Sequence, residues 1–261
     1  MSGGRVGIRK TYKLYVNGAF ARSESGRHDT VNGTNVPRGS RKDVRDAVKA
    51  ARAAAGPWAA RTAYNRGQIL YRAAEALESR ASEFKVGEAG EAIDLLVHYA
   101  GWTDKLHATL GGVNPVAAPF LSLSTPEATG VVGVIHGASA SLPRLIESIA
   151  APLAAGNVVV VILPESDPLP GLDLGEILGV SDIPNGVVNL ISGRLSELLP
   201  ALSSHRDVNA IVDATGSPAS AAEIDTFASE TLKRVIRNEP DPLSLLSALS
   251  EIRTAWHPVG A

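Results

Sequence analysis

The sequence predicts an α/β protein built on a doubly wound parallel sheet, with helices covering it at the N-terminal side. Three observations carry that expectation. From residue 131 onward, short β-branched runs alternate with helical stretches at regular spacing. The run 158–163 (VVVVIL) is apolar at every position, the pattern of a strand buried on both faces, and Pro164 and Pro168 stop it. Upstream, apolar residues recur every three or four positions, which is the helical period.

The elements follow in order. "YKLYVNGAF" alternates Leu14 and Val16 with polar neighbours, turns at Asn17-Gly18 and continues through Phe20, predicting a small hairpin. Ser40 with Asp43 three residues on is a capping-box pattern. Val44, Ala47, Val48 and Ala51 then share one helical face, and Gly56-Pro57 is expected to end the helix. A longer helix is predicted from about Thr62, with Ile69, Leu70, Ala73, Ala74 and Leu77 as its apolar stripe. A third is predicted over 87–110, carrying Leu95, Leu96, Tyr99, Trp102 and Leu106. Trp58 and Trp102 read as core residues.

Residues 111–130 change character, with three prolines and short β-prone runs. They predict a projecting hairpin that leads into the first core strand. The alternation then runs strand 131–135, helix 142–155; strand 158–163, helix 172–178; strand 187–191, helix 195–202. It continues with strand 208–212, helix 219–228 and strand 232–236. A last amphipathic helix is expected over 243–255, with Leu243, Leu246, Leu249 and Ile252 along one face. One main domain over 1–240 and a C-terminal helix and tail over 241–261 is the simplest partition.

Composition excludes several function classes. The 261 residues are 44% hydrophobic and 20% charged, ordinary for a soluble globular protein, and long enough to bury a core. A formal charge of −2 gives no reason to expect nucleic acid or an anionic membrane. The one basic stretch, 5–13, reads as a solvated tail. No apolar run approaches the roughly 20 residues that span a bilayer, and "MSGGRVGIRK" has no secretory core, so the cytoplasm is expected. There is no cysteine, which removes disulfides, thiolate ligands and any thiol nucleophile from this chain.

Motif searches are mostly negative. There is no G-x-G-x-x-G turn and no P-loop. The six histidines, His28, His98, His107, His136, His205 and His257, show no metal-ligand spacing, so no metal is expected. "GASAS" at 137–141 ends in serine and is not a nucleophile elbow. His136 follows a core strand and either faces the crevice at the strand ends or is structural.

"WAARTAYNRGQILYRAAEALESR" from Trp58, "YAGWTDKL", "GVVGVI", "APLAAGNVVVVILPESDPL", "SDIPNGVVNLISG", "HRDVNAIVDATGS" and "LKRV" occur in one order. In that order they resemble the NAD(P)-dependent aldehyde dehydrogenase superfamily, over residues 10 to 240. The resemblance implies the N-terminal, Rossmann-like dinucleotide-binding half of that family, with the 111–130 hairpin serving in subunit assembly. It also implies that the catalytic cysteine domain is missing.

The same resemblance assigns positions. A family lysine and glutamate hold the adenosine ribose. Ile162 stands at the lysine, and Glu165 at the glutamate, either as a ribose acceptor or as a solvated turn residue. Ala138 and Ser139 stand where the family has a tryptophan and the asparagine that steadies an oxyanion. Thr215, Gly216 and Ser217 match the start of the family's phosphate-facing turn. Pro218 beyond them fits either that turn or the first position of a helix. Asn238 stands at the glutamate that acts as a base, with Glu239 beside it.

The implied cofactor sites are therefore Glu165, Thr215, Gly216 and Ser217, vestigial, with no catalytic residue. No cofactor is expected, NAD or NADP binding being weakened by Ile162. The expected role is a noncatalytic homologue, a structural or regulatory subunit, with a full-length aldehyde dehydrogenase or a second copy of itself as partner. The alternative is an NAD(P)-dependent oxidoreductase component active only in a complex that supplies the cysteine.

Overall fold

The structure, a computed structural model, describes residues 10–237, 239 and 241–259. Strands β1 (Leu14–Val16) and β2 (Ala19–Ala21) form the expected hairpin. Asn17 at φ 54° and Gly18 at φ 71° make its two-residue turn, both in the left-handed region that such turns need. A second hairpin follows, β3 (His28–Val31) and β4 (Thr34–Pro37), turning at Asn32-Gly33. Sequence reasoning missed it, although "VNGT" carries the same Asn-Gly signal.

Helix α1 (Arg41–Ala59) starts on the predicted capping box. The Ser40 hydroxyl accepts from the Asp43 N–H, and the Asp43 carboxylate accepts from the Ser40 N–H. It does not stop at Gly56-Pro57. Gly56 has no Cβ to clash with the proline ring, so it stays helical, and buried Trp58 anchors the last turn through its indole N–H to the Leu153 carbonyl, 3.3 Å. Helix α2 (Ala63–Glu78) has Thr62 as its cap and buries the predicted stripe.

The single helix expected over 87–110 is two. α3 (Glu88–Trp102) ends where the Thr103 hydroxyl donates to the Ala100 carbonyl, and a short α4 (Leu106–Leu110) follows. Thr103 and Ala100 crowd Gly67 of α2, where an added Cβ would come within 3.0 Å of both. Trp102 is half-buried, its indole N–H donating to His98 Nε2, so it packs at the rim of the core.

Strands β5 (Gly112–Asn114) and β6 (Phe120–Ala128) form the expected projecting hairpin. The chain then alternates as β7 (Val131–His136), α5 (Leu142–Ala154), β8 (Val158–Ile162), α6 (Leu169–Leu178), β9 (Val188–Ile191), α7 (Leu195–Ser203), β10 (Ala210–Ala214), α8 (Pro218–Ser229) and β11 (Arg234–Ile236). The sheet order is β11-β10-β7-β8-β9-β1-β2. β7 to β11 are parallel, and β1 is antiparallel to β9. All of β7 and β8 is buried, as their unbroken apolar runs require. The chain winds outward through β8 and β9, then returns to place β10 on the other side of β7. That reversal puts a topological switch point between β7 and β10.

The last expected helix is the main departure. Only α9 (Pro242–Ala248) is helical, capped by the Asp241 carboxylate on the Leu243 and Ser244 N–H groups. After it β12 (Ser250–Pro258) runs antiparallel to β6, from Ser250 opposite Ala128 to Pro258 opposite Phe120. The leucine spacing is used up at Leu246 and Leu249, both fully buried, while Ile252 is half exposed. The following Ile-Arg-Thr-Ala-Trp includes β-branched and aromatic residues that suit a strand, and the open ladder of β6 pairs it.

Candidate functional site at the carboxyl ends of the sheet

Ligands of open α/β sheets sit beyond the carboxyl ends of the strands at the switch point, here where β7, β8 and β10 end. Three loops converge there. Gly137 follows β7, and a Cβ on it would stand 2.4 Å from the Thr215 carbonyl oxygen, so only glycine lets the loops after β7 and β10 close on each other. On the other side the Glu165 N–H donates to the Gly137 carbonyl (3.2 Å), and the Ser166 N–H to that of Ala138 (2.9 Å). The structure therefore gathers Glu165 and Thr215–Ser217 around one glycine.

Their polar groups are largely engaged within the chain. Glu165 Oε2 accepts the Leu195 N–H at 2.9 Å, satisfying an orphan donor at the start of α7. The Thr215 N–H and hydroxyl both donate to Asp213 Oδ1, at 3.0 and 2.7 Å, and the Thr215 hydroxyl oxygen accepts from the Ser217 N–H. Ser217 Oγ caps α8 by accepting the Ser220 N–H, and Pro218 is the first residue of that helix, the simpler of its two readings. Gly216, at φ 65°, has no atom within 4 Å of where a Cβ would lie, so this turn is open on its outer side. Ser139 is exposed. Asn238 lies outside the described residues, and Glu239 is exposed.

Beneath the Thr215 turn, Asp213 and Arg237 form a pair that sequence reasoning did not single out. Asp213 has a side chain 3% exposed, and its Oδ2 accepts from Arg237 Nε at 2.7 Å. Arg237 also reaches Asp225 at 2.9 Å. Burial alone would raise the Asp213 pKa, but hydrogen bonds from Thr215 and Arg237 outweigh it and hold the carboxyl below its ordinary range. The available signal was opposite charges just past two adjacent strand runs, "VDATGS" and "VIRN".

A cleft of about 280 Å³ opens beside this pair, lined by His136, Arg144, Glu147, Asp213, Arg237 and Glu239 among others. The Ser148 hydroxyl donates to the Leu145 carbonyl at 2.8 Å, so at 3.1 Å it accepts from His136 Nε2. His136 is thus the Nε2–H tautomer. Burial, with the nearby Arg144 charge, pushes its pKa down to about 4. A histidine so far below neutrality is a poor general base and serves the packing of β7 against α5. Among the described residues no group of three or more His, Asp or Glu could hold a metal ion.

The chain matches the family model described as "Aldehyde dehydrogenase family" over residues 26–238. It belongs to the aldehyde dehydrogenase family. Curated relatives include the putative aldehyde dehydrogenase DhaS of Bacillus subtilis, 30% identical over 87% of this chain and 50% of its own length. The mitochondrial aldehyde dehydrogenase of Rattus norvegicus is 34% identical over 77% of this chain and 41% of its own. Among solved structures, an NAD⁺ complex of an aldehyde dehydrogenase from Bacillus cereus superposes with a TM-score of 0.82 at 28% identity, over 87% of this chain and 50% of that one. The chain thus spans half or less of the length of these family members.

The doubly wound sheet and its Rossmann-like order are therefore those of the family's fold. Ile162, which the sequence resemblance sets at the family's lysine, is 1% exposed within β8 and offers no side-chain donor, and one oxygen of Glu165 is committed to α7. Among the described residues no helix is long and apolar enough to cross a membrane.

Proposed function

We propose that this aldehyde dehydrogenase fold is noncatalytic and acts as a structural or regulatory subunit, pairing with a full-length aldehyde dehydrogenase or with itself. The observation that carries the reading is the β12-β6-β5 sheet. It leaves Phe120, Leu121 and Leu123 of β6 about two-fifths exposed, with Ile252 at 50% and Trp256 at 61% on β12. Phe120, Ile252 and Trp256 lie on one face of this sheet and Leu121 and Leu123 on the other, and a sheet apolar on both faces, with β12 as an open edge, is the kind that another chain covers.

The carboxyl-end site supports the noncatalytic half of the proposal. These 261 residues hold no cysteine to form a thiohemiacetal, and Ser139 replaces the family's asparagine donor. The test is native mass spectrometry of the protein alone and after co-expression with a full-length aldehyde dehydrogenase. Recovery of a complex at fixed stoichiometry supports the subunit reading.

A second reading rests on the solved relative that carries NAD⁺, the Bacillus cereus enzyme. On it, this chain is an NAD(P)-dependent component whose thiol comes from elsewhere in a complex. Saturable NAD or NADP binding at micromolar concentration favours that reading over the scaffold.

A further inference from the structure

At the opposite, amino end of the sheet, a cleft of about 510 Å³ lies between the end of α1, the start of α2 and the β6–β12 ribbon. It is lined by Arg61, Thr62, Arg66, His107, Glu127 and Gly156 among others. Arg66 is 7% exposed. Its Nη1 donates to the Arg61 carbonyl at 2.7 Å and marginally to that of Ala59 at 3.5 Å, while its Nε is buried with no partner among the described residues. No described carboxylate offsets its charge, and burial pushes its pKa down. A Cβ on Gly156 would stand 3.8 Å from the guanidinium carbon, so the charged end sits against this wall of the cleft.

The start of α2 independently points to an anion. Its first turn has no acidic residue, and Thr62 Oγ1 takes only the Asn65 N–H. The positive end of a sixteen-residue helix therefore lies in the same cleft as the guanidinium. Arg61, on the rim, bonds the neutral Asn65 Oδ1 at 2.6 Å. The one carboxylate among the lining residues, Glu127, is held by Arg253 at 2.9 Å.

We propose that this cleft binds one small oxyanion, of the carboxylate or phosphate class, between the Arg66 guanidinium and the N-terminus of α2. A buried guanidinium without a counter-charge is costly, and its planar fork matches a carboxylate or phosphate. Helix N-termini hold such groups through their free N–H donors. The site rests on Arg66 and the start of α2 and not on the exposed apolar residues of β6 and β12 that carry the subunit proposal, so it stands whether or not that proposal does.

The experiment is calorimetric titration of the whole protein with inorganic phosphate and with malonate, at constant ionic strength set by chloride. The expected result is saturable binding of at least one probe at one site per chain. Affinity should fall at least about tenfold in Arg66→Met, which keeps an unbranched apolar stem but loses the guanidinium, and a few-fold in Arg61→Gln on the solvated rim. Comparing the two probes assigns the oxyanion class. Absence of saturable binding to the folded protein overturns the proposal, as does an affinity unchanged in a folded Arg66→Met. Should Arg66→Met fail to fold, an unchanged affinity in Arg61→Gln overturns it alone.

Discussion

Glu165 Oε2 accepts the backbone N–H of Leu195 at 2.9 Å, so the carboxylate that the sequence resemblance sets against a ribose caps a helix in the structure. Replacing Glu165 with Ala is expected to cost about 1 kcal/mol of stability, the usual value of a lost helix cap. Urea unfolding of the two proteins measures it. A stability unchanged by Glu165→Ala would mean that the α7 contact does not persist in solution.

Gly137 is predicted to tolerate no side chain. Gly137→Ala places a methyl 2.4 Å from the backbone oxygen of Thr215, where no flexible side chain can yield, and should cost about 1–3 kcal/mol. Thermal unfolding gives the stability change, and faster amide exchange at residues 215–217 would show the two loops parting.

His136 predicts an acid sensitivity with a definite sign. Its pKa is about 4 in the folded protein and about 6.5 when unfolded. Between those values the unfolded chain binds the proton and the native one does not, so stability falls as pH drops from about 6.5 to 4. His136→Leu should flatten that part of the stability-against-pH curve measured by urea titration.

Asp213 acts in a lower window. Its folded pKa is held below the ordinary carboxylate value, so its contribution is present above that ordinary value and is lost as pH falls through the folded pKa. Asp213→Asn removes the buried charge facing Arg237. Because Arg237 is 31% exposed and keeps Asp225, the cost at neutral pH should be about 1–3 kcal/mol, read from the same urea titrations.

The parts of this molecule legible in its sequence are those settled by nearby residues. The Asn17-Gly18 turn, the Ser40–Asp43 box and the unbroken run that became β8 each follow from local chemistry. The errors have non-local causes. β12 exists because β6 offers it a ladder more than 120 positions earlier in the chain, and no periodicity within 250–258 announces that partner. Pro57 stays inside α1 because Gly56 precedes it and Trp58 is anchored on Leu153. In the site, the Thr215 turn could be found by its residues, but the Asp213–Arg237 pair required knowing that β10 and β11 are neighbours. That Arg66 Nε is buried without a partner among the described residues is likewise a property of packing, invisible in an ordinary arginine on a helical stripe.

We propose the β12-β6-β5 sheet as an assembly surface. Native mass spectrometry of the wild type beside a Leu123→Glu/Trp256→Glu double variant tests it most directly, in each case alone and with a co-expressed full-length aldehyde dehydrogenase. The wild type is expected in a complex of fixed stoichiometry, and the double variant, still folded by circular dichroism, as a monomer. A wild type that stays monomeric in both settings, or a double variant that assembles as well as the wild type, would contradict it.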